Sequence, residues 1–210
     1  VGLYTSPHLI RFNERITING KSILDDDIAS FIEKRRMDID RICSTFFETT
    51  TVMALDYFVQ KKVDIAIVEV GLGGRLDSTN IILPKVAAIT PISLDHKHIL
   101  GKDILSITKE KSGIIKEGIP IIVSPQRIEP MGVIVEAADN LNAPLKKVTD
   151  EYEVVIKNQD LSGQSIKVIS SQRNYEFTLP LLGIHQTENA ITAICAIETL
   201  QELGYPISRD

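Results

Sequence analysis

The sequence predicts an α/β fold, a mostly parallel sheet flanked by helices, with an antiparallel β meander attached. Three observations carry that expectation. First, residues 63–70 (V-D-I-A-I-V-E-V), 85–92 (K-V-A-A-I-T-P-I) and 119–123 (I-P-I-I-V) are short, rich in β-branched residues and almost continuously apolar. Strands buried on both faces of a parallel sheet read this way. Second, helical patterns separate these runs, and strand–helix alternation implies an α/β sheet. Third, residues 151–179 switch to polar–apolar alternation, the mark of antiparallel strands with one solvated face.

The elements follow in chain order. Residues 15–18 alternate ahead of Asn19-Gly20, a turn dipeptide. Asp25, Asp26 and Asp27 precede Ile28, Phe31 and Ile32, placing carboxylates where a helix dipole favours them. Residues 45–61 are apolar over a broad arc through Phe46, Phe47, Met53, Ala54, Tyr57 and Phe58, and further helices are expected at 103–116 and 129–142. In the meander, Tyr152, Val154, Ile156, Ile166, Val168, Tyr175, Phe177 and Leu179 share the apolar face, with turns near 160–164 and 172–174. A last helix, 187–203, stops at Gly204-Tyr205-Pro206.

Composition narrows the class. The chain has 210 residues, 43% hydrophobic and 24% charged, which is ordinary for a globular protein and argues against disorder. A net charge of -5 gives no reason to expect nucleic acid or an anionic membrane as partner. No apolar run approaches a membrane span in length. Cys43 and Cys195 sit in apolar helical contexts without metal spacing and read as reduced core thiols of a cytoplasmic protein.

Several polar residues break these patterns. Glu69 interrupts an apolar run at the end of a strand, and Gly71-Leu72-Gly73-Gly74-Arg75 follows at once. Ligands of open α/β sheets bind beyond such strand ends, where glycines let backbone approach them closely; a tight turn is the plainer alternative. His96 follows the 85–92 run and is either a metal ligand or a surface residue. Lys111 stands at i+7 from Ile104 and i+4 from Ile107, along the apolar face of its helix. A lysine desolvated there becomes reactive, for example toward carbon dioxide to form a carbamate; a packed stem with a solvated head is the alternative. Ser6, before Pro7-His8, offers a hydroxyl that magnesium takes, or marks an ordinary Ser-Pro turn. Glu48 is either a helix-start carboxylate or a residue facing a ligand pocket.

Taken in order, Ser6-Pro7-His8-Leu9, Arg11-Phe12-Asn13-Glu14-Arg15-Ile16, Phe46-Phe47-Glu48, the stretch from Glu69 through Asp77 to Asn80, Leu94-Asp95-His96, Glu110-Lys111-Ser112-Gly113 and Gly183-Ile184-His185-Gln186 with Asn189 form a recognisable series. The series resembles the folylpolyglutamate synthase / dihydrofolate synthase family, within the wider Mur ligase group. The resemblance implies an ATP-dependent ligase that joins L-glutamate to a dihydropteroate or folate carboxylate through an acyl phosphate, with ATP as co-substrate and two magnesium sites. It implies that Ser6 and Glu69 bind a first Mg2+, and that His96 and a carbamylated Lys111 hold the second. Glu69, His96 and Lys111 would then be the catalytic set. Thr45, Phe46, Phe47, Glu48, Leu76, Asp77 and Ser78 match the surroundings of the pterin or folate, and His185 and Asn189 match the contacts to ATP. The family's upstream P-loop, Gly-x-x-x-x-Gly-Lys-Ser/Thr, does not occur in these 210 residues. The resemblance therefore makes residues 1–210 a central ligase domain, with the meander at 151–180 inside it, lacking the P-loop segment and the C-terminal domain and inactive alone. The parent protein is expected to be monomeric. A Mur-type ligase acting on a cell-wall precursor and a non-catalytic folate- or nucleotide-binding module are the rival expectations.

Overall fold

The computed structural model describes residues 1–95, 97–171 and 173–208, and the chain divides into two compact units, residues 1–82 and 83–210. The first unit opens with β1 (Gly2–Tyr4), a 3-10 turn (Phe12–Arg15), β2 (Ile16–Ile18) and β3 (Lys21–Ser22). Helices α1 (Asp25–Ile42) and α2 (Phe46–Gln60), strand β4 (Ala66–Val68) and a 3-10 turn (Ser78–Ile81) complete it. The strands form one mixed sheet in the order β3-β2-β1-β4, with β1 antiparallel to β2 and parallel to β4. Asn19-Gly20 makes the expected hairpin: both residues have positive φ, 49° and 75°, as a type I′ turn requires.

The core of this unit forms where the sheet meets the helices. Tyr4, Ile16, Ile23, Phe31, Met53, Ala54 and Phe58 are buried together. Each fully buried large apolar side chain contributes roughly 1.5–3 kcal/mol. Strand β4 departs from expectation. Ile67 is 56% exposed and Ala66 is exposed, so the 63–70 run is not buried on both faces. The reason is position: β4 is the edge strand of its sheet. Cys43 also departs. It is exposed, in the left-handed position (φ 55°) that ends α1, and is not a core thiol.

The second unit contains β5 (Ala87–Ile89), α3 (Lys97–Leu100), α4 (Ile104–Ser112), β6 (Ile121–Val123), α5 (Ile128–Asn140), β7 (Leu145–Lys147) and α6 (Val148–Glu151). The meander β8 (Tyr152–Asp160), β9 (Gly163–Ser170) and β10 (Asn174–Leu179) follows, then α7 (Ile184–Glu202). Strands β5, β6 and β7 pair in parallel with β6 at the centre. There the expectation of two buried faces holds. Ile121 and Val123 enter a cluster with Ile107, Ile134 and Ala138, while Ile122 enters another with Val148, Ile166, Val168, Ile191 and Cys195. The period-two alternation of a strand thus joins two cores through three residues.

A polar contact ties the meander to α7. Tyr152 of β8 and Tyr175 of β10 both donate to the carboxylate of Glu198, which is 7% exposed. Burial, then the neighbouring carboxylate, push the Tyr152 phenol upward, and the same causes raise Tyr175. Glu198→Ala leaves two phenols without their acceptor and is expected to cost about 1–3 kcal/mol in urea unfolding, whereas Tyr175→Phe costs about 1 kcal/mol or less. Equal stability of Glu198→Ala and the parent chain is the result that contradicts this assignment.

Candidate functional site

Parallel pairing of β1 with β4 sets Tyr4 opposite Val68, and the Glu69 N–H donates to the Tyr4 carbonyl at 2.9 Å. Both chains then leave the sheet at the same end. Ser6 and Glu69 meet there: the Ser6 N–H donates to Glu69 Oε2 at 2.8 Å. The two residues expected to share a magnesium are therefore neighbours, although 63 positions apart in sequence. A hydroxyl and a carboxylate are hard oxygen donors. Magnesium is commonly held by one or two such groups, with water and phosphate completing the shell. The donor set fits that ion. Among the described residues no cluster of three or more His, Cys, Asp or Glu side chains is arranged around a metal position.

Beyond Glu69 the Gly-rich turn is organised by Asp77. Its Oδ2 accepts from the Leu72 N–H at 2.8 Å, and its Oδ1 accepts from the Thr79 N–H at 2.9 Å and from the Thr79 hydroxyl at 2.5 Å. Gly71 is required by close approach: a Cβ there would lie 2.3 Å from Cζ of Phe47. The turn thereby packs on the start of α2, where Thr45 and Glu48 form a reciprocal cap. Thr45 Oγ1 accepts from the Glu48 N–H and Glu48 Oε2 accepts from the Thr45 N–H. The backbone bond from Thr45, then the Thr45 hydroxyl, hold the Glu48 carboxyl below its usual range. Of the two readings left open for Glu48, the helix-start carboxylate is what the structure forms, and the same residue also lines a cleft.

That cleft, of about 400 Å³, lies between α2 and the turn. Glu48, Leu76, Asp77 and Ser78, all expected near the substrate, line it. Thr51, Val52, Arg75, Asn80 and Ile81 line it as well and were not anticipated. Thr51 and Val52 were legible only as helix residues one turn beyond Glu48, while Arg75 and Asn80 stand inside the motif itself. Thr45, Phe46 and Phe47 do not line the cleft. Phe47 packs inward, 6.1 Å from the Tyr4 ring, and Phe46 is 61% exposed.

The segment after Ser6 is held by Glu14. Its carboxylate accepts from the N–H groups of Leu9 (2.9 Å), Ile10 (3.2 Å) and Arg11 (2.8 Å). The bonds from Leu9 and Arg11 keep the Glu14 carboxyl below its usual range. Arg15, 8% exposed, donates through Nε to His8 Nδ1 at 2.8 Å and lies 5.3 Å from the centre of the Phe46 ring. The Tyr4 phenol, raised by burial, is opposed by its bond with Thr51 and by the charge of Arg15, and is raised further by Asp77.

In the second unit, Lys111 is half-buried in the last turn of α4. The buried stripe of that helix runs through Ile107, Thr108 and Ser112, so Lys111 flanks it instead of lying within it. The helix ends at Ser112, earlier than the expected 116, which takes Ile114 and Ile115 out of the face that defined the expectation. His96 lies outside the described residues. His185 and Asn189 are exposed in the first turns of α7, whose N-cap, Gly183, supplies no side-chain bond. Such a helix start presents free N–H groups to an anion.

A carboxylate with a depressed folded pKa stabilises its bonds above its unfolded pKa, and that stability is lost as pH falls through the folded value. Protection of the Leu9, Ile10 and Arg11 amides, taken relative to their intrinsic exchange rates at each pH, is therefore expected to persist down to the ordinary carboxylate range and to be lost only below it. In Glu14→Gln the loss of protection should be present at neutral pH. Exchange in the variant that matches the parent protein at pH 7 rules out this role for Glu14.

The Mur ligase middle domain model matches residues 19–197. Dihydrofolate synthase/folylpolyglutamate synthase of Bacillus subtilis (strain 168) is 37% identical over 210 residues, covering 96% of this chain and 49% of that protein. The protein of the same description from Escherichia coli (strain K12) is 38% identical over 200 residues, covering 94% of this chain and 44% of its own length. Among solved structures, the apo form of Lacticaseibacillus casei folylpolyglutamate synthase superposes with a TM-score of 0.92 at 32% identity, over 99% of this chain and 53% of that one. A folylpolyglutamate synthase in complex with AMPPCP and folate gives a TM-score of 0.91 at 33% identity. The chain thus spans about half the length of the relatives it matches. On the match over residues 19–197, in the α/β frame described above, the chain belongs to the Mur ligase middle domain family.

Proposed function

We propose that this chain forms the metal- and acceptor-binding part of an ATP-dependent ligase that joins L-glutamate to the carboxylate of dihydropteroate or a folate. The observation that carries the reading is the meeting of Ser6 and Glu69 at one strand end, beside the turn whose Asp77 lines the cleft with Glu48. The similarity to dihydrofolate and folylpolyglutamate synthases supplies the substrate class.

In this reading Ser6 Oγ and the Glu69 carboxylate would hold a magnesium ion. Bound there, the ion would supply charge neutralisation for phosphoryl transfer. The cleft holds the heteroaromatic end of the acceptor. Val52, Leu76 and Ile81 offer apolar contact, and Glu48 and Asp77 accept ring N–H groups. Asp77 already accepts three bonds, which leaves room for about one more. The acceptor carboxylate attacks the terminal phosphorus of ATP, the ADP oxygen leaves, and an acyl phosphate forms. The amine of glutamate then displaces phosphate, losing a proton, to give the amide. His185 and Asn189 would meet the nucleotide at the start of α7, and His96 with a carbamylated Lys111 would hold a second magnesium. The protein in this reading acts as a monomer in the cytoplasm; among the described residues no helix is long and apolar enough to cross a membrane.

The test is an assay of the complete gene product with ATP and glutamate, offering dihydropteroate, tetrahydrofolate or a cell-wall precursor. Glutamate addition to one or both pterin substrates is expected, and Glu69→Ala should lower kcat/KM by about 100-fold or more, the scale of losing one charge-stabilising group. Turnover confined to the cell-wall precursor transfers the site to that chemistry. Binding of folate without turnover by the complete product makes it a binding module. Separately, crystals grown with magnesium and bicarbonate should show carbamate density on Lys111 Nζ. A bare ammonium there removes Lys111 from the metal site.

A further inference from the structure

Arg15 is a buried charge of the first unit that has no carboxylate partner among the described residues. Its side chain is buried, with the residue 8% exposed. The contacts it makes are the Nε bond to His8 Nδ1 at 2.8 Å and the stacking over Phe46, 5.3 Å to the ring centre. Among the described residues no carboxylate forms an ion pair with it, and its two terminal nitrogens have no protein acceptor. Those nitrogens are not sealed off, since they are absent from the buried atoms that lack a partner. Arg11 makes the contrast. It reaches Asp25 at 3.6 Å while both side chains remain largely in water. Burying a cation without an anion is costly, and an imidazole nitrogen and a ring face carry no negative charge to offset that cost. A guanidinium fork with two free terminal nitrogens matches a carboxylate in bidentate geometry.

The location selects the anion. The Thr5 N–H donates to the Arg15 carbonyl at 2.9 Å, so the residue sits beside Ser6 and the Ser6–Glu69 contact. On the other side, Arg15 and Asp77 both act on the Tyr4 phenol, which is 3.2 Å from Thr51 Oγ1, and Thr51 and Asp77 line the cleft. Arg15 thus adjoins the segment that carries Ser6, and Phe46, over which it stacks, opens the helix whose Glu48, Thr51 and Val52 line the cleft. An acceptor with its ring in that cleft and its carboxylate phosphorylated beside the Ser6–Glu69 contact would bring that carboxylate into this neighbourhood.

We propose that the Arg15 guanidinium binds the reacting carboxylate of the acceptor substrate. The assignment rests on the ligase reading above and adds a specificity residue to it. The His8 bond fixes the plane of the fork. The Phe46 face covers it, and the fork holds both carboxylate oxygens, each of which keeps a further lone pair with which to attack.

The experiment compares binding of pteroate and of its carboxamide, pteroamide, to the complete gene product by titration calorimetry. Parent protein, Arg15→Met and Arg15→Lys are measured. The parent should prefer the acid by about tenfold or more, the scale of a lost charge-assisted bidentate contact. Arg15→Met should abolish that preference by weakening the acid, leaving the amide within about twofold. Arg15→Lys should retain part of it, because a point charge replaces the fork. Without ligand, Arg15→Met should melt at or above the parent temperature, since a buried unpaired charge has been removed. Equal loss for acid and amide, with a lowered melting temperature, makes Arg15 a structural residue and overturns the proposal. An unchanged acid preference accompanied by weaker ATP or phosphate binding assigns the fork to a phosphate and also overturns it. A parent protein that binds neither pteroate nor pteroamide refutes the ligase reading itself, together with the assignment built on it.

Discussion

The first unit depends on a short parallel pairing, that of β1 with β4. It is three residues long on each strand, yet it brings the two ends that carry Ser6 and Glu69 to one place. Parallel strands run in the same direction, so their C-terminal ends finish side by side, and polar residues just past those ends converge without further design. Everything else in the unit either supports that pairing or extends the site from it. Tyr4 and Ile16 fix the sheet into the core beneath the helices. Phe47 wedges the Gly-rich turn against α2, which a side chain at position 71 would prevent. Glu14 gathers three N–H groups and so shapes the segment that follows Ser6.

Much of this was legible in the amino-acid sequence, for physical reasons that differ from element to element. Helix α2 announced itself through its apolar arc, and the structure closes its start with a Thr45–Glu48 cap. The hairpin at Asn19-Gly20 was legible because few residues accept two successive positive φ values. The central strand β6 was readable as doubly buried because both of its faces are covered. The same apolar pattern misled at β4, where composition cannot reveal that a strand stands at a sheet edge. Strands β1 and β7 are three residues long and carry too little periodicity to register.

The site divides along similar lines. Glu69 stood out because it breaks an apolar run, and Asp77 through the motif that carries the family resemblance. Arg15 did not, because an arginine in an alternating strand reads as a solvated face until the structure shows it buried. Lys111 is the reverse case. Its expected burial followed a face through Ile104 and Ile107, whereas the buried stripe of α4 runs through Ile107, Thr108 and Ser112 and leaves Lys111 on its flank.

The Glu198 carboxylate has one further consequence. It accepts from Tyr152 on β8 and Tyr175 on β10, two strands that do not pair with each other but both pair with β9. A slip of one residue in either pairing turns that strand's tyrosine to the opposite face of the sheet. The carboxylate is then left with one donor, or with none, inside a packed helix interface. The pair of phenols thus works as a parity check on strand registration, satisfied only when both outer strands are correctly aligned. Strand β8 carries an irregularity between Ile156 and Asn158, and Tyr152 lies on the regular side of it, so the check reads the stretch of β8 that the irregularity does not disturb.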